Sequence, residues 1–281
     1  LLLPGLMNAP LGKGASVLTG STHSVLRVRR DGASLAVALP ARLPNTIDTV
    51  IVLDIKGEAT VVGPPTMSPS TETIFVDTVN VTLSSPSNTI AIRYELDGAA
   101  PTSTSPLYSG DVVLRDTTAL AAACFLGDRI VSGITYGSFK KVKPKHPVHL
   151  LQKRPGLTRR AYLGSFDVVP EFRTLTAASE TTVPTLTIEP QPRDEHFAMH
   201  FAGFIEAPTT GIYTFWLDSD DGSVLLIGGE IVIDNDGLHS ANELTGTVAL
   251  EAALHPLSLG YFENTGQDDL IVKWSGPSFV K

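Results

Sequence analysis

Several features that mark particular protein classes are scarce in this 281-residue chain. Its one cysteine, Cys124, cannot form an internal disulfide and is predicted to be a small buried residue, with a free reactive thiol as the alternative. No apolar run is long enough to span a bilayer. The net charge of −8 argues against nucleic acid or an anionic membrane as a partner. We therefore expect a folded protein that binds neither nucleic acid nor membranes.

Helical periodicity is nearly absent as well. Short alternating runs of apolar and polar residues recur instead, and the 24 glycines and 20 prolines supply turns between them. This pattern predicts an all-β fold of three consecutive β-sandwich modules, over residues 1–63, 68–143 and 155–281. The chain begins with neither methionine nor a basic segment, so we expect no signal peptide and interpret the sequence as the interior of a longer chain.

Turn-forming residues predict where the strands turn. Asp31-Gly32 and Gly228-Gly229 each separate two alternating runs and favour hairpins, and Asp97-Gly98 indicates a further turn. Two proline-rich segments, residues 61–70 and 140–156, are predicted to be linkers, the second of them exposed.

The segment "DSDDGS", Asp218 to Ser223, crowds three carboxylates into six residues. Asp220 and Asp221 are adjacent, and like charges this close repel unless something offsets them. A cation, backbone N–H donors or water would each do so, and each implies a different function.

The third block resembles the protective-antigen-like (PA-fourteen) domain, a β-sandwich of toxins, β-glucosidases and fungal adhesins. The matching residues are "GIYTFWLDSDDGSVLLIGGEIVIDNDGLH", "HPLSLGYFENTG" and "LIVKWSGP". In the sugar-binding members, two aspartates joined by a cis peptide bond bind calcium, which chelates sugar hydroxyls. The resemblance therefore implies Ca²⁺ held by Asp220, Asp221 and Asn264. In other members the same turn accepts backbone N–H bonds, and we favour this structural interpretation, with donors from the turn itself.

The other two blocks resemble accessory modules of glycoside hydrolases. Through "IRYELDGAAPTSTSPLYSGDVVLRDTTALAAACF" the second is similar to the C-terminal β-sandwich of chitobiases and β-hexosaminidases. The first is similar to the C-terminal β-sandwich of family 29 α-L-fucosidases, through "LLLPGLMNA" and "RRDGASLAVALPARLPNTIDTVIVLDIKG". The catalytic barrel of that family is not in this sequence, so no residue is assigned a catalytic role.

Other polar motifs are interpreted as structural. His196 and His200 have a zinc-like spacing for a helix, but on a strand such positions lie about 13 Å apart, too far to share one ion. We expect no metal site there. The stretch Asp234–His239 is predicted to form a turn rather than a second ion site. By alternation, Trp216 and Trp274 are expected in the core.

Together the resemblances imply a non-catalytic C-terminal region of a secreted or periplasmic α-L-fucosidase. Its expected partners are glycans or an upstream catalytic domain, and its role is to brace that domain, shape its active-site entrance or hold the enzyme near glycans. The alternatives are a calcium-dependent lectin or adhesin fragment and an inert spacer.

Overall fold

The computed structural model describes residues 1–8, 11–19, 22–43, 48–69, 71–85, 87 and 89–280. They form two compact units, Leu1–Lys141 and Val142–Lys281. Within the described ranges the secondary structure is strand, apart from one 3-10 helix at Phe172–Thr174, which confirms the all-β prediction. None of the described helical segments is long and apolar enough to cross a membrane.

Unit 1 begins with a five-stranded antiparallel sheet in the order β1-β4-β3-β2-β5. The strands are β1 (Leu2–Pro4), β2 (Gly12–Thr19), β3 (Thr22–Asp31), β4 (Ser34–Val37) and β5 (Ile51–Leu53). One face carries the buried core, in which Val28 and Leu35 are at most 3% exposed. Gly32 has a φ of 57° in the β3–β4 turn, so the hairpin expected at Asp31-Gly32 is confirmed.

The rest of unit 1 forms two further sheets, β10-β8-β6 and β7-β12-β11-β9. Their strands are β6 (Thr66–Ser68), β7 (Glu72–Phe75), β8 (Val79–Ser84), β9 (Ala91–Glu95), β10 (Val112–Leu114), β11 (Thr118–Leu126) and β12 (Arg129–Lys141). Their shared core includes Cys124, which is fully buried as predicted. The Asp97-Gly98 turn is also confirmed, since Asp97 Oδ1 accepts the Ala99 N–H at 2.9 Å.

The predicted linker at residues 61–70 is wrong for most of its length. Val62 is buried in the core of the two sheets, and Thr66–Ser68 pairs with β8. Prolines flank this strand and indicate a linker, although the strand pairs with a distant segment. Ser70 lies outside the described residues. The division of the chain into three modules stays a prediction.

Unit 2 is a two-sheet sandwich with sheet orders β14-β13-β15-β20-β17-β18 and β19-β16-β21. Its strands are β13 (Leu157–Leu163), β14 (Ser179–Val183), β15 (Phe197–Ala207), β16 (Gly211–Asp220), β17 (Ser223–Ile227), β18 (Glu230–Asn235), β19 (Asn242–Leu250), β20 (Ala253–Glu263) and β21 (Asp269–Ser275). Strands β16 and β17 belong to different sheets, so Asp221-Gly222 crosses from one sheet to the other. The expected hairpin at Gly228-Gly229 joins β17 to β18, with φ of 61° and 80°.

The predicted linker at residues 140–156 is wrong over its first half. The Lys145 N–H donates to the Ala249 carbonyl at 2.9 Å, and the Val148 N–H to the Leu254 carbonyl at 2.8 Å. The Lys145 ammonium, 19% exposed, also pairs with Glu230. Residues 149–156 are exposed, as expected of a linker.

The two tryptophans differ in orientation. Tyr213, Phe215 and Leu217 of β16 are at most 1% exposed and face the core, so Trp216 between them points to the opposite face. The expectation that Trp216 is a core residue is therefore wrong, because its phase in the alternation places it outside. Trp274 packs against the core, with its ring centroid 5.8 Å from that of Phe215.

Candidate metal and sugar site

Three carboxylates meet at the end of the sandwich where the chain crosses between its sheets. They belong to Asp220, Asp221 and Glu263, and one oxygen from each lies within 4.8 Å of the others. Asp220 ends β16, and Glu263 ends β20, whose Tyr261 pairs with Ser223 of β17. Asp221 and Glu263 are 6% and 0% exposed, whereas Asp220 is partly open to solvent. The Asp220–Asp221 peptide bond is cis.

Backbone donors from neighbouring loops satisfy the two aspartates. Asp221 Oδ1 accepts the His239 N–H at 3.1 Å, and its Oδ2 accepts the Asn264 N–H at 3.0 Å. Asp220 Oδ2 accepts the Ala241 N–H at 3.1 Å. These donors lie outside the "DSDDGS" turn, so the expectation that the turn supplies its own donors is corrected. The loop after β18 supplies the His239 and Ala241 donors, and the residue after β20 supplies the Asn264 donor.

Glu263 is less well satisfied. The Tyr261 hydroxyl donates to the Asp220 carbonyl at 2.6 Å and lies 3.4 Å from Glu263 Oε2, while Oε1 has no hydrogen-bond partner among the described residues. Burial, and then the charges of Asp221, Asp220 and the nearby Asp268, raise the pKa of Glu263 to about 7. The pKa of Asp220 is also raised, first by burial.

His239 lies beside these carboxylates, since its backbone N–H donates to Asp221. Its Nδ1 lies 2.9 Å from the Ser240 carbonyl and its Nε2 lies 3.0 Å from the Asn235 carbonyl, so both ring nitrogens face acceptors. Burial lowers the pKa of His239, but the two carbonyls and then Asp221 and Asp220 outweigh that effect and raise it. The protonated form of His239 is therefore favoured relative to that of an isolated imidazole.

The side chain of Asn264 contacts other groups. Its Oδ1 lies 3.0 Å from His196 Nδ1 and accepts from Ser165 Oγ at 3.3 Å, and its Nδ2 donates to Asp167 at 3.2 Å. Only its backbone N–H reaches Asp221. The role of Asn264 as a calcium ligand thus stays a prediction, and the side chain ties the loop after β13 to the site.

Sequence reasoning missed Glu263, the third carboxylate. Its signal in the sequence is a charged residue at the end of the buried run "LSLGYFE", where a carboxylate needs a partner.

The remaining polar motifs lie around the site in structural roles. His196 contacts Asn264, and His200 Nε2 lies 2.8 Å from Ser258 Oγ, so the two imidazoles have different partners. Asp234 and Asn235 end β18 rather than belonging to the predicted turn. Asp236 begins that turn, and its Oδ1 accepts the Val169 and Gly237 N–H groups at 2.6 and 2.8 Å.

Comparisons with known families agree with two of the three resemblances. Residues 153–278 match the PA14 domain. Residues 70–135 match the chitobiase/beta-hexosaminidase C-terminal domain. A search of curated proteins found no match.

Solved structures share low identity with this chain. An anti-sigma factor domain-containing protein is 21% identical with a TM-score of 0.39, and the match covers 44% of each chain. The PA14 sugar-binding domain from an RTX adhesin is 16% identical with a TM-score of 0.36, covering 45% of this chain and 92% of that one. The Epithelial Adhesin 9 A domain from Candida glabrata, solved with Galb1-3GlcNAc, is 15% identical with a TM-score of 0.37, covering 46% and 84%.

The present chain thus spans less than half of the first of these proteins. The finer resemblance of residues 1–63 to α-L-fucosidases stays a prediction. The chain is similar to a PA14 domain over residues 153–278 and to a chitobiase/beta-hexosaminidase C-terminal domain over residues 70–135.

Proposed function

We propose that this chain is a non-catalytic, carbohydrate-binding accessory region of a secreted or periplasmic glycoside hydrolase of the α-L-fucosidase type. In this proposal the cluster of Asp220, Asp221 and Glu263 binds Ca²⁺, and the ion binds sugar hydroxyls. When bound, Ca²⁺ supplies positive charge and coordination positions that neutral hydroxyl oxygens can fill.

The observation that carries the proposal is the buried, half-satisfied Glu263 beside two further carboxylates. Its Oε1 has no partner among the described residues, although the side chain is fully buried. A buried carboxylate in this state is costly unless a cation or a proton neutralises it. Three carboxylates with one oxygen each within 4.8 Å of the others concentrate negative charge that a divalent cation would cancel. Calcium suits this donor set because it prefers oxygen ligands.

A purely structural turn explains less of the geometry. Backbone N–H donors satisfy both oxygens of Asp221, which is what the structural interpretation requires. The same interpretation gives no reason for a third carboxylate, Glu263, to be buried against the first two. The partial exposure of Asp220 also leaves the cluster a side on which a ligand from solvent can approach. The ion therefore accounts for more of the observed arrangement.

The matches to known families support the setting of this site. One family is described by its place at the C-terminus of chitobiases and beta-hexosaminidases, enzymes that act on glycans. In this chain the residues that match that family, 70–135, precede the residues that match the PA14 domain, 153–278. This order fits the accessory region of a glycoside hydrolase. A fucosidase parent rests on the sequence resemblance of residues 1–63.

The proposal is tested by binding the purified chain to an array of neutral and anionic glycans, in Ca²⁺ and in EDTA. We expect binding to particular glycans that needs Ca²⁺ and is lost when Glu263 is replaced by glutamine. Glycan binding of equal strength in EDTA, or none in either buffer, would contradict the proposal. Release of the aryl group from an aryl α-L-fucoside above background would contradict the non-catalytic assignment.

A second variant identifies the ligands. Because the Asn264 side chain bonds to His196, Ser165 and Asp167, we expect Asn264→Ala to weaken Ca²⁺ binding less than Glu263→Gln does. The reverse order would identify the Asn264 side chain as the ligand.

A further inference from the structure

The outer face of the three-stranded sheet in unit 2 carries an aromatic ring in polar surroundings. Trp216 lies on this face and is partly exposed. Its cross-strand partners are Thr245 on β19 and Lys273 on β21, both exposed. Directly opposed residues of an antiparallel sheet share a face, so a threonine hydroxyl and an ammonium flank the indole. An aromatic ring beside hydrogen-bonding groups is a common arrangement in ligand sites.

This face continues to the carboxylate cluster. Trp216, Asp218 and Asp220 occupy alternate positions of β16, so they follow one another along the same side of the strand. Four residues of strand place Trp216 about 13 Å from Asp220. A single sugar ring cannot bridge that distance, whereas a short oligosaccharide can.

The charges along this path favour a neutral ligand. Asp218, Asp220 and their cross-strand partners Glu243 and Asp269 contribute four carboxylates to this face. Lys273 contributes one ammonium close to Trp216. An anionic glycan would meet net negative charge all the way to the cluster. Neutral hydroxyl groups can donate to the carboxylates and accept from the ammonium, and the apolar face of a sugar ring can cover the indole.

We infer that Trp216 is a second subsite for a neutral oligosaccharide whose terminal sugar is bound at the Asp220–Asp221–Glu263 cluster. This inference rests on the proposed function, because the terminal sugar is held through Ca²⁺. The chain therefore recognises glycans of two or more sugars rather than free monosaccharides, and Trp216 determines that preference.

The test uses the full chain loaded with Ca²⁺. Isothermal titration is carried out with fucose, galactose, glucose and N-acetylglucosamine and with neutral oligosaccharides of two to four of these sugars. For the sugar that binds, we expect its oligosaccharides to bind about tenfold more tightly, the gain that one aromatic contact typically gives. Trp216→Thr should remove this gain but leave monosaccharide affinity and Ca²⁺ binding unchanged. Trp216→Phe should retain most of the gain.

Tyr136→Thr is the matched control, since Tyr136 is an aromatic residue on a strand of unit 1 that is 56% exposed. Its replacement should change neither affinity. Oligosaccharide affinity that survives in Trp216→Thr, or that falls in step with monosaccharide affinity, would overturn the inference and leave the proposed function standing. Failure of every sugar to bind in Ca²⁺ would overturn both.

Discussion

Replacing Glu263 with glutamine is predicted to stabilise the calcium-free protein and to weaken its response to calcium. The glutamine keeps the shape of the side chain and removes its charge. In the calcium-free protein that charge is buried beside Asp220 and Asp221, so its removal relieves repulsion. In the calcium-bound protein the same charge would be a ligand, so its removal weakens binding.

The size of the first effect follows from the pKa of Glu263. Burial and the neighbouring carboxylates raise this pKa from its ordinary value of 4.5 to about 7. At about 1.4 kcal/mol for each pKa unit, ionising the side chain above pH 7 costs at most about 3.5 kcal/mol of folding free energy. Solvent on the open Asp220 side reduces this cost, and we expect about 2 kcal/mol.

The second effect follows from mass action. An ion present at about a hundred times its dissociation constant stabilises the folded state by about 2.7 kcal/mol. The wild-type protein should gain this stability when Ca²⁺ replaces EDTA, and the Glu263→Gln variant should gain much less. The order of stability of the two proteins is therefore expected to reverse on adding calcium.

Tryptophan fluorescence during urea unfolding at pH 8 measures this selectively. Both tryptophans of the chain, Trp216 and Trp274, lie in unit 2, so their emission reports on the unit that carries the site. Glu206→Gln is the matched control, since Glu206 is in the same unit, its side chain is 64% exposed, and it pairs with Lys153 at the surface. The control should differ little from wild type in either buffer.

A Glu263→Gln variant that is less stable than wild type in EDTA at pH 8 would refute the predicted repulsion. That result would mean that the carboxylate makes favourable contacts which glutamine cannot replace. Equal stabilisation of both proteins by Ca²⁺ would separately remove Glu263 from the ion site.

Three further predictions concern the site and its unit. Asp221→Asn should lower the free energy of unfolding by about 1–3 kcal/mol, because an amide can accept only one of the two backbone N–H bonds and leaves the other donor unpaired. An unchanged free energy of unfolding of unit 2 in urea would contradict this. The pKa values of Glu263 and His239 are both raised, so folding favours their protonated forms. Each group therefore contributes its full share to the free energy of unfolding below its unfolded pKa, 4.5 for Glu263 and 6.5 for His239. That share is lost as the pH rises through the pKa of the folded state. Calcium-free unit 2 should therefore unfold at lower temperature as pH rises from 5 to 8, and a flat or rising profile would contradict the assignment. Gly228→Ala should destabilise the protein by about 1 kcal/mol or more, because the φ of Gly228 is 61° and the new Cβ would lie 2.8 Å from Lys145 Cδ. The Cβ of Gly229→Ala would meet no neighbouring atom, so that variant should lose less stability. A lower unfolding temperature for Gly229→Ala than for Gly228→Ala would refute this.

Features that depend on neighbouring residues were predictable from the sequence. Alternation with a period of two gave the strands, and glycines with positive φ gave the hairpins at Gly32 and at Gly228-Gly229. The burial of Cys124 followed from its apolar run. Each of these properties is determined within a few residues of the chain.

Features that depend on distant segments of the chain were not predictable from the sequence. The strand Thr66–Ser68 forms because β8 lies beside it, and its prolines conceal that pairing. The N–H donors of His239 and Ala241 reach the aspartates from the loop after β18.

The choice between Asn264 and Glu263 as the third residue of the cluster also depended on contacts with distant segments. The resemblance pointed to Asn264, but the side chain that lies beside the two aspartates is that of Glu263, the last residue of β20, which pairs with Phe197 of β15. Asn264 follows the last residue of β20, and its side chain bonds to Ser165, His196 and Asp167 instead. The alternation that was expected to place Trp216 in the core has the opposite phase, because Phe215 and Leu217 take the core-facing positions of β16.

Calorimetric titration of the chelator-stripped chain with Ca²⁺ tests the central claim most directly. We predict that one ion binds per chain with a dissociation constant tighter than about a millimolar, the range of extracellular calcium modules. The same titration of Glu263→Gln should show at least tenfold weaker binding. Absence of binding heat in the wild-type protein, together with an unfolding temperature that Ca²⁺ does not change, would contradict the account and leave "DSDDGS" as a structural turn.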